Sequence, residues 1–504
     1  MKTKYFFLAA AAALFAACSS DDGIAEQQQQ AKQQAEQVPV AFDYYVGRGT
    51  TRAGMTGDVT PATIKTANVG FGVFAYYTNA DSYDPSSFMP NFMYNQQVKA
   101  SGTGDDATWG YAPLKYWPNE FGTGARSEDV DKISFFAYAP YVSVNPASGK
   151  VMKKWENSSD PKYTYDADDG EATMGIVGMT RNNVTGDPMV KYISTFYTDE
   201  QVDLVWGTVP ASAATWAKKN SGSQSFTEGT PWKDVEHPSA TSSSWSAAQK
   251  VKFQFLHSLA ALNVTVDTKT NKTTPNDLVD DASKVYIRSV TFEGFDTKGA
   301  LNLNNTTALK PLWYNFNCDD ELNRASGIET IIKDGRKDGK EGINAATSEY
   351  AVINPDFVQS TIWGSTTPAE APGVTGTAKN LFRLKTAASS SFVPADDAPI
   401  YVIPNGDPLK VTIEYDVLTQ DDNLVGKLND GATHGSVVKN VITRYITTGG
   451  AGDPQATPTN PFILENGKRY TISLHLGLNS VEFDAGVTAW TTGTGGADLP
   501  HNNN

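Results

Sequence analysis

The sequence predicts an all-β fold arranged as two tandem β-sandwiches. Three observations predict it. First, apolar residues recur with a period of two. Tyr470, Ile472, Leu474, Leu476 and Leu478 alternate with small or polar neighbours, and Val481, Phe483, Ala485, Val487 and Ala489 do so again. That alternation puts one face of a strand on a core and the other in water. Second, turn formers punctuate the chain, with 42 Gly and 26 Pro. Asn405-Gly406-Asp407, between Ile400–Pro404 and Leu409–Val417, is a hairpin signal. Third, almost no stretch carries a long helical period. Short alternating strands separated by turns are the pattern of sandwiches.

The 504 residues suffice for about two to four domains and a sizeable core. Hydrophobic residues are 39% and charged residues 19%, a globular composition. The net charge of −15 argues against nucleic acid and anionic lipid as main partners. There are two cysteines, Cys18 and Cys318, so no disulfide framework is expected. The five histidines (His237, His257, His434, His475, His501) are scattered, without metal-ligand spacing. No metal and no cofactor are expected.

The N-terminus reads as an address. Met1 to Lys4 is short and basic, and Tyr5 to Ala17 is apolar but too short to span a bilayer as a stable helix. Residues 1–17 therefore read as a signal peptide. Leu14-Phe15-Ala16-Ala17-Cys18 resembles the bacterial lipoprotein box, which implies cleavage after Ala17 and acylation of Cys18. Ser19 to Asp22 is either an acidic export signal to the outer face of the outer membrane or a plain solvated linker. Gly23 to Gln37 is rich in Gln, Ala, Glu and Lys with no apolar face, so residues 18–37 form a lipidated tether.

The first structured stretch is Val38 to Val46. Val38, Val40, Phe42, Tyr44 and Val46 share one face of a strand about 30 Å long. Pro39 cannot donate to a ladder and points to an edge position. Gly47 to Arg52 follows, small and polar with Arg48 and Arg52, the kind of exposed link a trypsin-like protease cuts. A strand cut loose from an edge leaves backbone groups and an apolar groove that another strand can fill.

Further strands are expected at Asn68–Thr78, with Phe71, Val73 and Ala75 on one face, and at Phe92–Val98. Trp109–Pro118 is an edge or irregular strand, and Ile133–Tyr141 is the next. A weak strand at Met174–Met179 precedes one at Gln201–Gly207 and an irregular insertion at Thr208–Gln249. Val251–Val266 holds two alternating runs with a bend within Leu256–Ala261. A polar connection at Pro275–Ser283 divides an N-terminal sandwich, 38–270, from a C-terminal one, 283–490. The second sandwich opens with Val285–Glu293 and Ala300–Leu303. It closes with the two alternating runs described above, before a Gly- and Asn-rich disordered tail at 491–504.

The blocks FGVFAYYT, FMYNQQV, YAPLKYWP, ISFFAYAPY, QVDLVWG and VKFQFLHSLAALNVTV, in that order after a lipobox, resemble the fimbrillin family. These are type V pilins and minor-fimbrillin-like lipoproteins of anaerobic Gram-negative bacteria. The resemblance implies two tandem transthyretin-like sandwiches, surface delivery of a lipidated precursor and removal of the N-terminal strand after an arginine. It also implies that the freed groove accepts a neighbour's C-terminal strand. Carried onto this chain, the removable strand is Val38, Val40, Phe42, Tyr44 and Val46, and the cut follows Arg48 or Arg52. The donor strand lies around Val481, Phe483, Val487 and Trp490.

No catalytic site is visible. The paired carboxylates Asp168-Asp169, Asp280-Asp281, Asp319-Asp320 and Asp396-Asp397 would point to opposite faces of a strand. His257 in its apolar run reads as a core histidine. Trp109, Trp117, Trp206 and Trp313 read as core or rim, with stacking on sugars as the alternative. The expected function is therefore a structural subunit of an adhesive surface fimbria, a surface-exposed outer-membrane lipoprotein. Its expected partners are other pilin subunits, the outer membrane through the lipid, and host or bacterial surface glycans or proteins. A stalk, tip or anchor position is left open. The alternative is a monomeric surface adhesin or glycan-binding lipoprotein of the same fold.

Overall fold

A computed structural model of the chain describes residues 38–45, 59, 61–65, 69–101, 108–118, 131–151, 172, 175–194, 201–218, 222–239, 250–268, 283–314, 351–353, 379–380, 383–385, 392–394, 399–426, 434–448, 452–453, 459–476 and 481–489. The described residues are nearly all β, with 56% strand and 2% helix. The first strands are β1 (Phe42–Tyr45), β2 (Phe71–Asn79), β3 (Met93–Ser101), β4 (Thr108–Gly110), β5 (Lys132–Ala139), β6 (Gly175–Met179), β7 (Met189–Ile193) and β8 (Val205–Thr208). Then come β9 (Thr215–Ala217), β10 (Ser223–Ser225), β11 (Trp232–Glu236), β12 (Val251–His257) and β13 (Ala260–Thr268). The chain continues through β14 (Ser283–Glu293), β15 (Phe295–Asp296), β16 (Lys298–Asn302), β17 (Leu312–Tyr314), β18 (Ala351–Ile353), β19 (Lys379–Asn380), β20 (Arg383–Lys385) and β21 (Phe392–Pro394). The last are β22 (Ile400–Pro404), β23 (Lys410–Gln420), β24 (Gly435–Ile446), β25 (Gly452–Asp453), β26 (Lys468–Leu476) and β27 (Val481–Ala489).

The largest sheet runs β1-β12-β8-β5-β2-β3-β4, with β11 added to β5. Its central strands, β2 and β5, are apolar almost throughout and buried on both faces. Phe71, Val73 and Ala75 of β2 face one core, as the alternation predicts. Phe74 and Tyr76, on the opposite phase, face a second core. That second core is shared with a four-stranded sheet, β17-β16-β7-β6, through Ile176, Val190, Tyr192, Leu301 and Trp313. A third core lies between the sheet β15-β22-β13-β26-β27 and the sheet β18-β14-β23-β24-β25.

Strand pairing crosses the expected division at 275–283 twice. The bend expected within Leu256–Ala261 is present at Ser258, whose N–H and hydroxyl both donate to Leu204 O at 3.0 and 2.6 Å. It carries the chain from one sheet to another. β12 pairs β8, whereas β13 pairs β22 and β26. In the other direction, β16 pairs β7. Alternation reports which residues face a core, not which strand lies alongside.

The Asn405-Gly406-Asp407 turn also differs from expectation. β22 and β23 do not pair with each other. β22 joins β13 and β15, and β23 joins β14 and β24. The turn is therefore an arch between the two facing sheets. Asp407 N–H closes it on Asn405 Oδ1 at 3.0 Å, and Gly406 takes a φ of +84° that suits glycine. The side-chain amide of Asn405 donates to Asp296 Oδ1 at 3.0 Å, tying the arch to β15. The stretch expected to be irregular, Thr208–Gln249, contains β9, β10 and β11. Residues 1–37 and the tail 491–504 lie outside the described residues.

Candidate groove for strand exchange

The alternation of Val38, Val40 and Phe42 is realised as three inward side chains, 7%, 0% and 1% exposed. Pro39, Ala41 and Asp43 between them are half-buried. The segment changes partners part-way along. Val40 N–H donates to Lys115 O at 2.9 Å, and Trp117 N–H donates to Val38 O at 2.8 Å. From Ala41 onward the partner is β12. Val251 N–H donates to Ala41 O at 2.9 Å, and Phe42 to Tyr45 run parallel to Val251 to Gln254. β1 stands last in the order of its sheet, as an edge strand should. Pro39 bridges to Tyr116, on the side where residues 115–117 continue beyond β4. The segment thus joins the two ends of the large sheet, β12 on one side and the chain after β4 on the other.

Phe42 sits in a box of rings. Its centroid is 5.5 Å from Tyr111, 5.8 Å from Phe135, 6.1 Å from Phe253 and 6.4 Å from Phe71. Edge-on and stacked pairs at these spacings add to the gain from burial. Tyr111 contributes a second contact, its hydroxyl donating to Val40 O at 2.7 Å. Burial of the Tyr111 ring raises its pKa to about 12, partly offset by the Lys115 N–H, which donates to the hydroxyl oxygen at 3.3 Å. Trp117 closes the far end against Phe135, Trp216 and His237.

The chain downstream of the expected cut is pinned separately. Val59 and Ile64 are buried in the same core as Phe42. Val59 N–H donates to Asp203 Oδ2 at 2.9 Å. The same oxygen lies 2.8 Å from His257 Nδ1, and Asp203 is fully buried. Gly70 N–H donates to Ile64 O at 3.0 Å, and Gly70 has a φ of +61°. A Cβ there would lie 2.0 Å from Val98 O, so only glycine fits. His257 is a core histidine with a carboxylate partner, and nothing in the sequence pattern pointed to Asp203.

Of the other expected site residues, Tyr44 pairs with Phe253 in the ladder. Ala17, Cys18, Val46, Arg48, Arg52 and Trp490 lie outside the described residues. The expected donor stretch forms β27, paired with β26 along its whole length from Leu476↔Val481 to Lys468↔Ala489. β27 stands last in its sheet. Its register sets Val487 opposite Tyr470, yet Val487 is 51% exposed and Tyr470 only 2%. Trp206, Trp117 and Trp313 are buried, and Trp109 packs on Phe71 at 5.3 Å, so these four do not form a sugar-stacking platform. The paired carboxylates lie outside the described residues. Among the described residues, no group of three or more His, Cys, Asp or Glu is placed to hold a metal.

This chain is similar to a fimbrium subunit. Over 130 residues it is 37% identical to the fimbrium subunit Fim1C of Phocaeicola vulgatus. The match covers 25% of this chain and 28% of that protein, so it spans about a quarter of the curated relative. A crystal structure of a fimbrial protein from Bacteroides vulgatus aligns over 90% of this chain and 100% of its own, at 20% identity and a TM-score of 0.46. A fimbrilin from Porphyromonas gingivalis aligns over 91% of this chain and 98% of its own, at 9% identity and a TM-score of 0.29. No family model matches.

Two outcomes follow from the groove. Phe42→Ala empties the ring box and should cost about 3–5 kcal/mol in denaturant unfolding. A loss below about 1 kcal/mol would mean that the segment does not complete the core. The Tyr111 hydroxyl has its ordinary pKa of 10.0 raised to about 12 in the fold. Its contribution is therefore complete below pH 10 and is lost as pH rises through about 12. Tyr111→Phe should weaken the intact protein at neutral pH and reduce its further loss of stability between pH 10 and 12, read by unfolding at each pH.

Proposed function

We propose that this chain is a structural subunit of an adhesive cell-surface fimbria. In this reading it is delivered as an outer-membrane lipoprotein acylated at Cys18 and exposed on the surface. Cleavage after Arg48 or Arg52 then frees the Val38–Val46 strand. A neighbouring subunit's strand takes its place, and the donor strand is drawn from the region of Val481 to Trp490.

The observation that carries the reading is the seat of Val38, Val40 and Phe42. Three apolar side chains fill one core from a strand at the end of its sheet. The chain beyond the expected cut is held in place by Asp203 and Gly70. A cut within 46–58 would let the strand leave without taking Val59 or Ile64 with it. The three inward side chains contribute roughly 1.5–3 kcal/mol each on burial. An incoming strand that restores them and the ladder recovers most of that, less the cost of association. The likeness to a fimbrium subunit over a quarter of the chain supports the same assignment.

The complete pairing of β27 with β26 favours a second reading, a monomeric surface adhesin or glycan-binding lipoprotein of the same fold. Limited trypsin digestion separates the two. A fimbrial subunit should be cut at Arg48 or Arg52 and then give a ladder of oligomers on a gel run without boiling. Cutting without any self-association would favour the monomeric adhesin, and resistance at both arginines would remove the strand-exchange reading.

A further inference from the structure

An exposed apolar ridge stands where the described chain enters the fold. Ala112, Pro113, Leu114 and Tyr116 all face solvent, Leu114 by 49% and Tyr116 by 42%. Four exposed apolar side chains within five residues are unusual on a surface that meets only water. The ridge lies level with the start of the plug, Val38–Tyr45. Val40 N–H donates to Lys115 O, Trp117 N–H donates to Val38 O, and Pro39 bridges to Tyr116.

The backbone of the ridge leaves little for an added strand. Lys115 and Trp117 already bond the plug, Ala112 O accepts from the Gln96 side-chain amide at 3.2 Å, and Pro113 has no N–H. A lipid surface needs no ladder, and the side chains suit one. Tyrosine rests at the headgroup boundary, with leucine reaching below it. Charge points the same way. Residues 109–118 hold Lys115 and no acid, in a chain with 56 Asp and Glu against 41 Lys and Arg. This stretch lacks the charge that repels the rest of the chain from an anionic surface.

Position supplies the last argument. Residue 37 joins the plug at Val38, so the tether expected at 18–37 meets the fold beside Tyr116. A flexible linker of that length has an r.m.s. span of about 25 Å. Anchored at its far end, it keeps the ridge at high effective concentration over the bilayer.

Resting on the reading that Cys18 is acylated, we propose that residues 112–116 form a membrane-docking ridge. Leu114 and Tyr116 enter the headgroup region of the outer membrane while the plug is in place. The plug then runs about 23 Å from Val38 to Tyr45. The link bearing Arg48 and Arg52 therefore begins well away from the docked end. Departure of the plug takes the tether with it and releases the ridge.

The test uses the chain acylated at Cys18, reconstituted in vesicles of phosphatidylethanolamine and phosphatidylcholine that carry a nitroxide-bearing lipid. An environment-sensitive dye is attached through Ala112→Cys, or through Val425→Cys as the control, in a Cys318→Ser background. Val425 is 91% exposed and lies in the turn between β23 and β24. The lipid should quench the dye at 112 severalfold more than the dye at 425, and Leu114→Ser with Tyr116→Ser should abolish the difference. Both serines replace exposed side chains, so the core is untouched. Equal quenching at 112 and 425 in a chain that floats with the vesicles overturns this inference and leaves the acylation reading standing. A difference that survives the paired serines also overturns it. A chain that does not float with the vesicles removes both readings. A dye at 112 that is shielded before vesicles are added, in proportion to chain concentration, assigns the ridge to a second copy instead.

Discussion

The N-terminal half depends on one insertion, the seating of Val38, Val40 and Phe42 in a core built by strands far away in sequence. Phe42 touches rings from β2, β5, β12 and the stretch after β4, so one side chain ties together elements from residue 71 to residue 253. The backbone on either side of it joins β12 to residues 115–117 and brings the two ends of the large sheet together. An edge strand usually exposes its ladder groups to any passing chain. Here the Val38–Tyr45 segment occupies that edge, and Val38, Val40 and Phe42 fill the core behind it.

The two halves of the chain are interlocked. The large sheet is buried on both faces because β16 and β17 cross back to cover it beside β6 and β7. Polar contacts reinforce the junction. Tyr401 N–H donates to Gln201 Oε1 at 2.7 Å, and Tyr401 O accepts from the Ser194 hydroxyl. Asp187 collects Tyr83, Asn302 and Asn304, each at 2.9 to 3.0 Å. Buried polar groups satisfied in this way favour one packing over near alternatives.

Much of this was legible in the sequence, and the limits are physical. The period-two runs located β12, β13, β14, β23, β26 and β27, because alternation is a local consequence of one face being buried, whereas β2 and β5, buried on both faces, were legible as apolar runs. The inward phase of Val38, Val40 and Phe42 was legible for the same reason, whereas the bridge from Pro39 to Tyr116, which covers that edge, was not. Partner choice was not, since pairing depends on residues distant along the chain. That is why the Asn405–Asp407 turn read as a hairpin and proved to be an arch, and why the division at 275–283 is crossed by β13 and β16. Asp203 was invisible because a single buried carboxylate has no periodic signature. Only the fold brings it to Val59 and His257. The support of the plug by Tyr111, Lys115 and Trp117 was hidden because an aromatic stretch broken by prolines reads as irregular.

The central claim is that residues 38–45 complete a core that stays open without them. Amide hydrogen exchange on the full chain, intact and then cut with the freed segment removed, tests it most directly. Trp117 N–H and Val251 N–H bond the plug, so both should lose protection when it leaves. Amides in the β23–β24 ladder, within the separate third core, should keep theirs. Unchanged protection at Trp117 and Val251 after the segment has gone would contradict the account.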